Sequence, residues 1–372
     1  MKILICPDKF KGSLSAEQVA QILESGLLEI IPNLSITKLP LADGGEGSLR
    51  ILPNYLNLER IEMESLDPLG RPIQVHYFVD EQTAYFELAL SSGLLLLNEE
   101  EYDPLQASTL GTGLLINDAI QRGIKKIYLF IGGSATNDGG IGICHALGFR
   151  FLNDSGLELI PNGENLSQIQ AIKKPDSTDF RDIDMTVLTD VNNPLLGSTG
   201  AAKVFAKQKG ADDSQIDFLE RGMQNFALLL NSFSSIPVDT LPGTGAAGGI
   251  AASLTALCQA KISSGFDFIS QVSNLETHLK NADLILSGEG RLDSQSPHGK
   301  LISKLAYLSQ KHHKPLFLFV GKNELDDSSL KKMNIKAVFS ISSLTSTPED
   351  AITQAKSLLL ELIKQKAPSF LV

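Results

Sequence analysis

The stretch Lys126-Ile-Tyr-Leu-Phe-Ile-Gly132-Gly133-Ser134-Ala135-Thr136-Asn137-Asp138-Gly139-Gly140-Ile-Gly142 decides the fold. Its first part, Ile127 to Ile131, is short, apolar and rich in β-branched and aromatic residues, as expected of a strand buried on both faces of a parallel sheet. The glycines that follow can take positive φ and bring backbone N–H groups close to a ligand, while Ser134, Thr136 and Asn137 add side-chain donors. Ile141 to Leu147 then reads as a helix closed by Gly148. A strand, a glycine turn and a helix N-terminus in that order form a ready anion site, because unpaired amides and the helix dipole point the same way. An ordinary tight connection is the alternative. The density of donors and the presence of Asp138 favour phosphate or carboxylate binding by Gly132, Gly133, Ser134, Ala135 and Thr136.

The same grammar recurs on either side. Met1 to Cys6 is strand-like, Pro7 to Ser13 is a loop, and Ser15-Ala-Glu-Gln18 is a capping box that starts a helix. Ile36 to Leu41 is a second strand, followed by the polar loop Ala42-Asp43-Gly44-Gly45-Glu46-Gly47-Ser48 and a short helix that Pro53 delimits. Both loops follow strand carboxyl ends, where ligands of open α/β sheets bind. From Leu58 to Leu90 the pattern alternates and predicts antiparallel hairpins, with Glu87 ending the third strand and a new domain beginning near Leu66.

Asn153 to Ile183 is polar and weakly patterned, which predicts a surface segment. Met185 to Thr189 is a further strand that runs into Asp190-Val-Asn-Asn-Pro194. Helices are expected over residues 200–209, 215–230 and 245–257. After the strand 282–287 comes a third charged glycine loop, Gly288-Glu289-Gly290-Arg291-Leu292-Asp293-Ser294-Gln295, then His298-Gly299-Lys300 and a return to alternating β and α units. The expectation is an α/β protein of two domains. Residues 1–66 and 282–372 form a discontinuous, Rossmann-like parallel-sheet domain, and residues 67–281 form an inserted domain with a mixed sheet.

Composition narrows the function classes. A chain of 372 residues, 42% hydrophobic, with a net charge of -11, is globular and is no general polyanion binder, so nucleic acid is excluded as a partner. Cys6, Cys144 and Cys258 are far apart and odd in number, which argues against a disulfide framework or zinc site. With a strand at the start and no apolar run of membrane-spanning length, a cytoplasmic location away from membranes is expected.

Gly243-Thr-Gly245-Ala-Ala-Gly248 matches GxGxxG, which keeps an NAD-dependent small-acid dehydrogenase as one alternative, but Pro237 and Pro242 leave no strand before it. A non-catalytic sugar-acid binding protein is another. Gly299-Lys300 lacks the offset glycine of a P-loop. The carboxylates Asp8, Asp43, Glu46, Asp190, Glu289 and Asp293 sit on strand-end loops among Lys9, Lys11, Arg291 and Lys300. Carboxylates for a hard divalent cation beside cations and amides for phosphate oxygens describe phosphoryl transfer.

At these residues the chain resembles the bacterial-type glycerate kinase family. The matching motifs are Pro-Asp-Lys-Phe-Lys-Gly-Ser-Leu-Ser-Ala (7–16), Leu-Ala-Asp-Gly-Gly-Glu-Gly (41–47), Gly-Gly-Ser-Ala-Thr-Asn-Asp-Gly-Gly (132–140), Asp-Val-Asn-Asn-Pro-Leu (190–195), Gly-Ala-Ala-Gly-Gly (245–249) and Ser-Gly-Glu-Gly-Arg-Leu-Asp-Ser-Gln (287–295). The resemblance implies phosphorylation of D-glycerate by ATP with Mg²⁺, with 2-phosphoglycerate the expected product and 3-phosphoglycerate the other outcome. It also implies two α/β domains with a cleft between them; a homodimer is a further expectation. Asp190, Lys11 and Arg291 are the expected catalytic residues. Asp8, Ser13, Asp43, Gly44, Gly45, Glu46, Gly245, Glu289 and Lys300 join the 132–136 loop as expected binding residues. Asp190 and Asp293 are the candidate Mg²⁺ ligands. Lys9, where the family usually has serine, and Ser296-Pro297-His298 depart from the pattern.

Overall fold

A computed structural model describes residues 1–175, 179–293 and 301–371. It divides into two compact units. The first contains Met1–Asp43, Arg50–Leu56 and Phe266–Val372; the second contains Gly44–Leu49 and Asn57–Gly265.

The first unit is built on a five-stranded, wholly parallel sheet in the spatial order Ile335–Ser340, Leu316–Val320, Leu284–Ser287, Lys2–Ile5, Ser35–Lys38. Numbered along the chain this is 2-1-3-4-5, a doubly wound order whose direction reverses between Lys2–Ile5 and Leu284–Ser287. The central strands are buried because Ile3, Leu4, Ile5, Leu284, Ile285 and Leu286 leave them no polar face. Ala16–Ile30 starts at the expected capping box, with the Ser15 hydroxyl accepting from the Gln18 amide and the Gln18 side chain answering to the Ser15 amide. It packs on Ala355–Lys366 so closely that a Cβ on Gly26 would stand 2.3 Å from Cγ2 of Ile363.

The second unit carries a six-stranded mixed sheet in the order Lys261–Ser263, Asp184–Leu188, Lys126–Phe130, Thr83–Glu87, Pro72–Val79, Glu59–Leu66. Its first four strands are mutually parallel and the last two are the expected antiparallel hairpins. The strand Glu59–Leu66 pairs with Pro72–Val79 along all its length, so the expected domain break near Leu66 moves back to Asn57. The second break likewise moves, from 282 to Phe266.

The expected surface segment between Asn153 and Ile183 instead feeds the core. Leu166, Ile169, Phe180 and Ile183 are buried with Phe149, Phe151 and Phe226. The expected helix over residues 200–209 is split into Ala201–Phe205 and a 3-10 turn, Lys207–Lys209. The three thiols are free and buried. Among the described residues no helix is long and apolar enough to cross a membrane.

Candidate active site

In the second unit the four parallel strands end on one edge, and each contributes a loop there. Thr83–Glu87 ends in a carboxylate that is 3% exposed. Glu87 Oε1 accepts from the amide of Gly47 at 2.8 Å, and Oε2 accepts from that of Leu49 at 2.9 Å. One buried side chain thereby fixes both ends of a tight turn, and the Ser48 hydroxyl donates to the Gly45 carbonyl at 2.6 Å within it. Gly44 needs its φ of +86°, and a Cβ on Gly132 would stand 2.3 Å from Gly45 Cα. Gly44, Gly45, Glu46, Gly132 and Gly133 are therefore brought together, with the two glycine loops touching backbone to backbone.

The anion site expected at the helix N-terminus is taken by the chain's own carboxylate. The helix spans Ile141–Ala146, and Asp138, wholly buried, accepts from the amides of Gly140 at 3.0 Å and Gly142 at 3.3 Å. It also accepts from the amide and hydroxyl of Thr109 at 2.8 and 2.7 Å. Burial lifts its carboxyl above the usual range while these four donors pull it back. The Ala135 amide, too, is spent, on the Ser92 carbonyl at 2.9 Å. What remains open to a ligand is the front of the loop, because Gly132 is half-buried and Gly133 exposed while residues 134–140 are buried.

Behind that loop lies Lys209, 2% exposed. Its ammonium donates to the Ser134 hydroxyl at 2.7 Å and to the Thr136 carbonyl at 2.6 Å. Burial drives its pKa down to about 7, against the opposing charge of Asp138. The Thr136 hydroxyl and both ends of the Asn137 side-chain amide are buried with no hydrogen-bond partner among the described residues. Lys209 was not legible as a site residue, since Lys207-Gln-Lys-Gly210 reads as the solvated end of a helix. The signal present was Gly210, whose φ of +101° and close approach to the Tyr102 carbonyl pin the turn.

Asp190 lies two residues beyond Asp184–Leu188 on the same edge, half-buried. The GxGxxG glycines serve close packing. A Cβ on Gly245 would meet the Pro194 carbonyl at 2.0 Å, one on Gly248 the Thr136 carbonyl at 2.2 Å, and the Gly245 amide already donates to the Asn193 carbonyl. Gly245 thus offers no amide to a phosphate, and the turn follows no strand, so no dinucleotide fingerprint is formed.

The first unit gathers its own candidates at the reversal of its sheet. The Asp8 amide donates to the Gly288 carbonyl at 2.8 Å, and the backbone of Gly290 runs against Lys11. Part of the Asp8 surface meets solvent, yet the carboxyl is closely enclosed by protein. That desolvation, with the charges of Asp43 and Glu289, holds it well above the usual carboxylate range, although Lys9 opposes. The Ser13 hydroxyl donates to the Phe10 carbonyl in its own loop. Arg291, expected to grip phosphate, is exposed and bonded twice to Glu324, at 3.0 and 2.6 Å. Lys11 is exposed and Asp293 half-buried; Lys300 lies outside the described residues.

Among the described residues no group of three or more His, Cys, Asp or Glu is arranged to hold a metal ion. Magnesium does not require one, since it binds through one or two carboxylates and substrate phosphates. The carboxylates Asp8, Asp43, Glu289 and Asp293 offer oxygen donors, and burial together with the charges of Asp43 and Glu289 raises Asp8 in a way that a hard cation relieves.

The model of the glycerate kinase family matches residues 3–370. A Bacillus subtilis (strain 168) protein named glycerate kinase is 37% identical over 372 residues, 99% of this chain and 97% of that one. An Escherichia coli (strain K12) protein named glycerate 2-kinase is 37% identical over 95% of this chain and 94% of its own. A crystal structure from Salmonella typhimurium LT2, provisionally assigned as a glycerate kinase 2, superposes with a TM-score of 0.81 at 36% identity, covering 99% of this chain and 98% of that one.

Proposed function

This chain belongs to the glycerate kinase family, and we propose that it transfers the γ-phosphoryl group of ATP to the 2-hydroxyl of D-glycerate, yielding 2-phosphoglycerate and ADP. The observation that carries the regiochemistry is the near full-length likeness to the Escherichia coli protein named glycerate 2-kinase. The exposed front of the glycine loop, at Gly132 and Gly133, supports an anion contact made through backbone amides.

In the step proposed, the glycerate oxygen bonds to the γ-phosphorus as the bond to the bridging oxygen of ADP breaks. The hydroxyl proton passes to a carboxylate, the role we assign to Asp190 on its strand-end loop. Gly132, Gly133 and the turn held by Glu87 orient the anionic groups. Asp190 or Asp293 would hold magnesium, which when bound neutralises charge on the phosphate oxygens.

Incubation with D-glycerate, ATP and Mg²⁺, followed by proton-coupled phosphorus NMR, tests the whole reading. Phosphate on the 2-oxygen couples to one methine proton and appears as a doublet. A triplet from the methylene would place it on the 3-oxygen and overturn the regiochemistry. No product at all would overturn the activity.

A further inference from the structure

We propose that Lys209 is a positioning residue for this reaction: by donating to the Ser134 hydroxyl and the Thr136 carbonyl it sets the shape of the loop that presents Gly132 and Gly133 to an anionic ligand. The inference rests on the reading of that loop as the anion contact.

A lysine buried to this degree weakens a fold unless its head group is used, and an apolar side chain of like volume would serve packing better. Among the described residues both hydrogen bonds of the head group cross to one short segment, residues 134 and 136, more than seventy residues away in the chain. The Ser134 hydroxyl has no other partner among the described residues.

The loop cannot hold this course by its own side chains. Asp138 secures only its rear half, through Gly140 and Gly142. Between the two anchors the Thr136 hydroxyl and the Asn137 side-chain amide are buried without partners among the described residues, so the segment is kept in a course that leaves these polar groups unmet there. Backbone bonds from Leu94 to the Gly133 carbonyl and from Ala135 to the Ser92 carbonyl tie the front to a neighbouring turn. They leave the Ser134 side chain and the Thr136 carbonyl to Lys209. A neutral amine retains two N–H groups, the number of bonds made, so the hold survives loss of the proton.

The test compares Lys209→Met, which keeps the length and removes the donors, with Lys209→Gln, which keeps N–H donors without the charge. For Lys209→Met we expect the KM for glycerate or ATP to rise about tenfold with kcat changed less than about threefold, at a melting temperature no lower than wild type. Lys209→Gln should recover most of that loss. Equal KM values for wild type and folded Lys209→Met would overturn the proposal. So would equal impairment of both variants, since a residue that merely fills space or supplies charge does not distinguish them.

Should Lys209→Met not fold, Ser134→Ala carries the test, because it removes one acceptor and leaves the lysine in place. Faster hydrogen exchange at the Ala135 amide supports the proposal, and unchanged exchange overturns it. Exchange needs no turnover, so a wild-type protein inactive on glycerate would count against the proposed function while the role of Lys209 is still decided.

Discussion

Replacing Asp138 by asparagine changes one atom at the centre of the glycine loop, and its cost follows from the bonds that atom makes. Oδ2 accepts three hydrogen bonds, from the Thr109 amide, the Thr109 hydroxyl and the Gly142 amide, and Oδ1 accepts one from Gly140. The asparagine oxygen therefore takes the Oδ2 position, and its NH₂ faces the Gly140 amide, donor against donor. Leaving that buried amide unpaired costs about 1–3 kcal/mol. Each of the three surviving bonds weakens by about 1 kcal/mol as its acceptor loses charge.

Relief of carboxylate burial, the cause of the raised pKa, offsets part of this. Lys209 meanwhile loses the one neighbouring charge that favours its ammonium. The balance is a loss of about 2–4 kcal/mol. For a unit of roughly 150–250 residues that lowers the melting temperature by about 5–15 °C. Scanning calorimetry of wild type, Asp138→Asn and Asp138→Ala reads it directly, with the alanine variant the worse because it strands every donor. An asparagine variant melting within about 2 °C of wild type would refute the account of how the loop is held.

Asp190→Asn separates a base from a metal ligand: as a base it should lower kcat by about 10²–10⁴ with nucleotide affinity unchanged, whereas weakened nucleotide binding that added Mg²⁺ restores would mark a ligand. Normal turnover would remove both roles. Gly133→Val should cost about 1–3 kcal/mol of backbone strain, because φ there is +79° and its Cβ would press on Cβ of Ala89 at 3.3 Å; titration calorimetry should show a steep loss of ligand affinity, and equal affinity in a folded variant would return the loop to a purely structural role. For Lys209 the sign of the pH effect is set by its lowered pKa. Below about 7 folded and unfolded chains both carry the proton and the burial cost is present in full; as pH rises from there towards 10.5 the folded chain loses its proton first and stability returns. Denaturant unfolding should therefore find wild type gaining on Lys209→Met by about 2 kcal/mol between pH 7 and 9, and a constant difference would mean that the lysine titrates normally.

The parts of the fold that were legible are those where local pattern and tertiary fate agree. Ile127 to Ile131 reads as a buried strand and the structure forms it over Lys126–Phe130, with Tyr128 half-buried, and Ser15 with Gln18 caps the helix its spacing announces. Arg60-Ile-Glu-Met-Glu reads correctly as an alternating strand, but alternation says nothing about which sheet receives it, and the domain break was misplaced for that reason. Leu166, Ile169 and Phe180 were missed because single apolar residues on or just after short 3-10 turns have no period to betray them.

At the site, glycine richness located the loops but not which amides stay open. Asp138 spends those of Gly140 and Gly142 in a local turn that the bare Asp-Gly-Gly does not tell apart from an open loop, and the Asn193 carbonyl spends that of Gly245 through a contact distant in the chain. Arg291 carried the right chemistry for phosphate, and only the structure places Glu324 against it. Lys209 was invisible for the same reason, since its partners lie more than seventy residues away.

The strand Lys2–Ile5 sits in the interior of its sheet, between Ser35–Lys38 and Leu284–Ser287. During synthesis the first of those neighbours follows at once, but the second is made some 280 residues later. At the usual pace of translation, about 5–20 residues per second, the emerging chain exposes one edge of that apolar strand for on the order of 15–60 s. In that interval all of Asn57–Gly265 leaves the ribosome, so the mixed-sheet unit can fold while the other still lacks three of its five strands. The nascent chain thus carries an unpaired hydrophobic edge beside a finished unit, a state that chaperones bind and that a stop codon anywhere before Leu284 would make permanent.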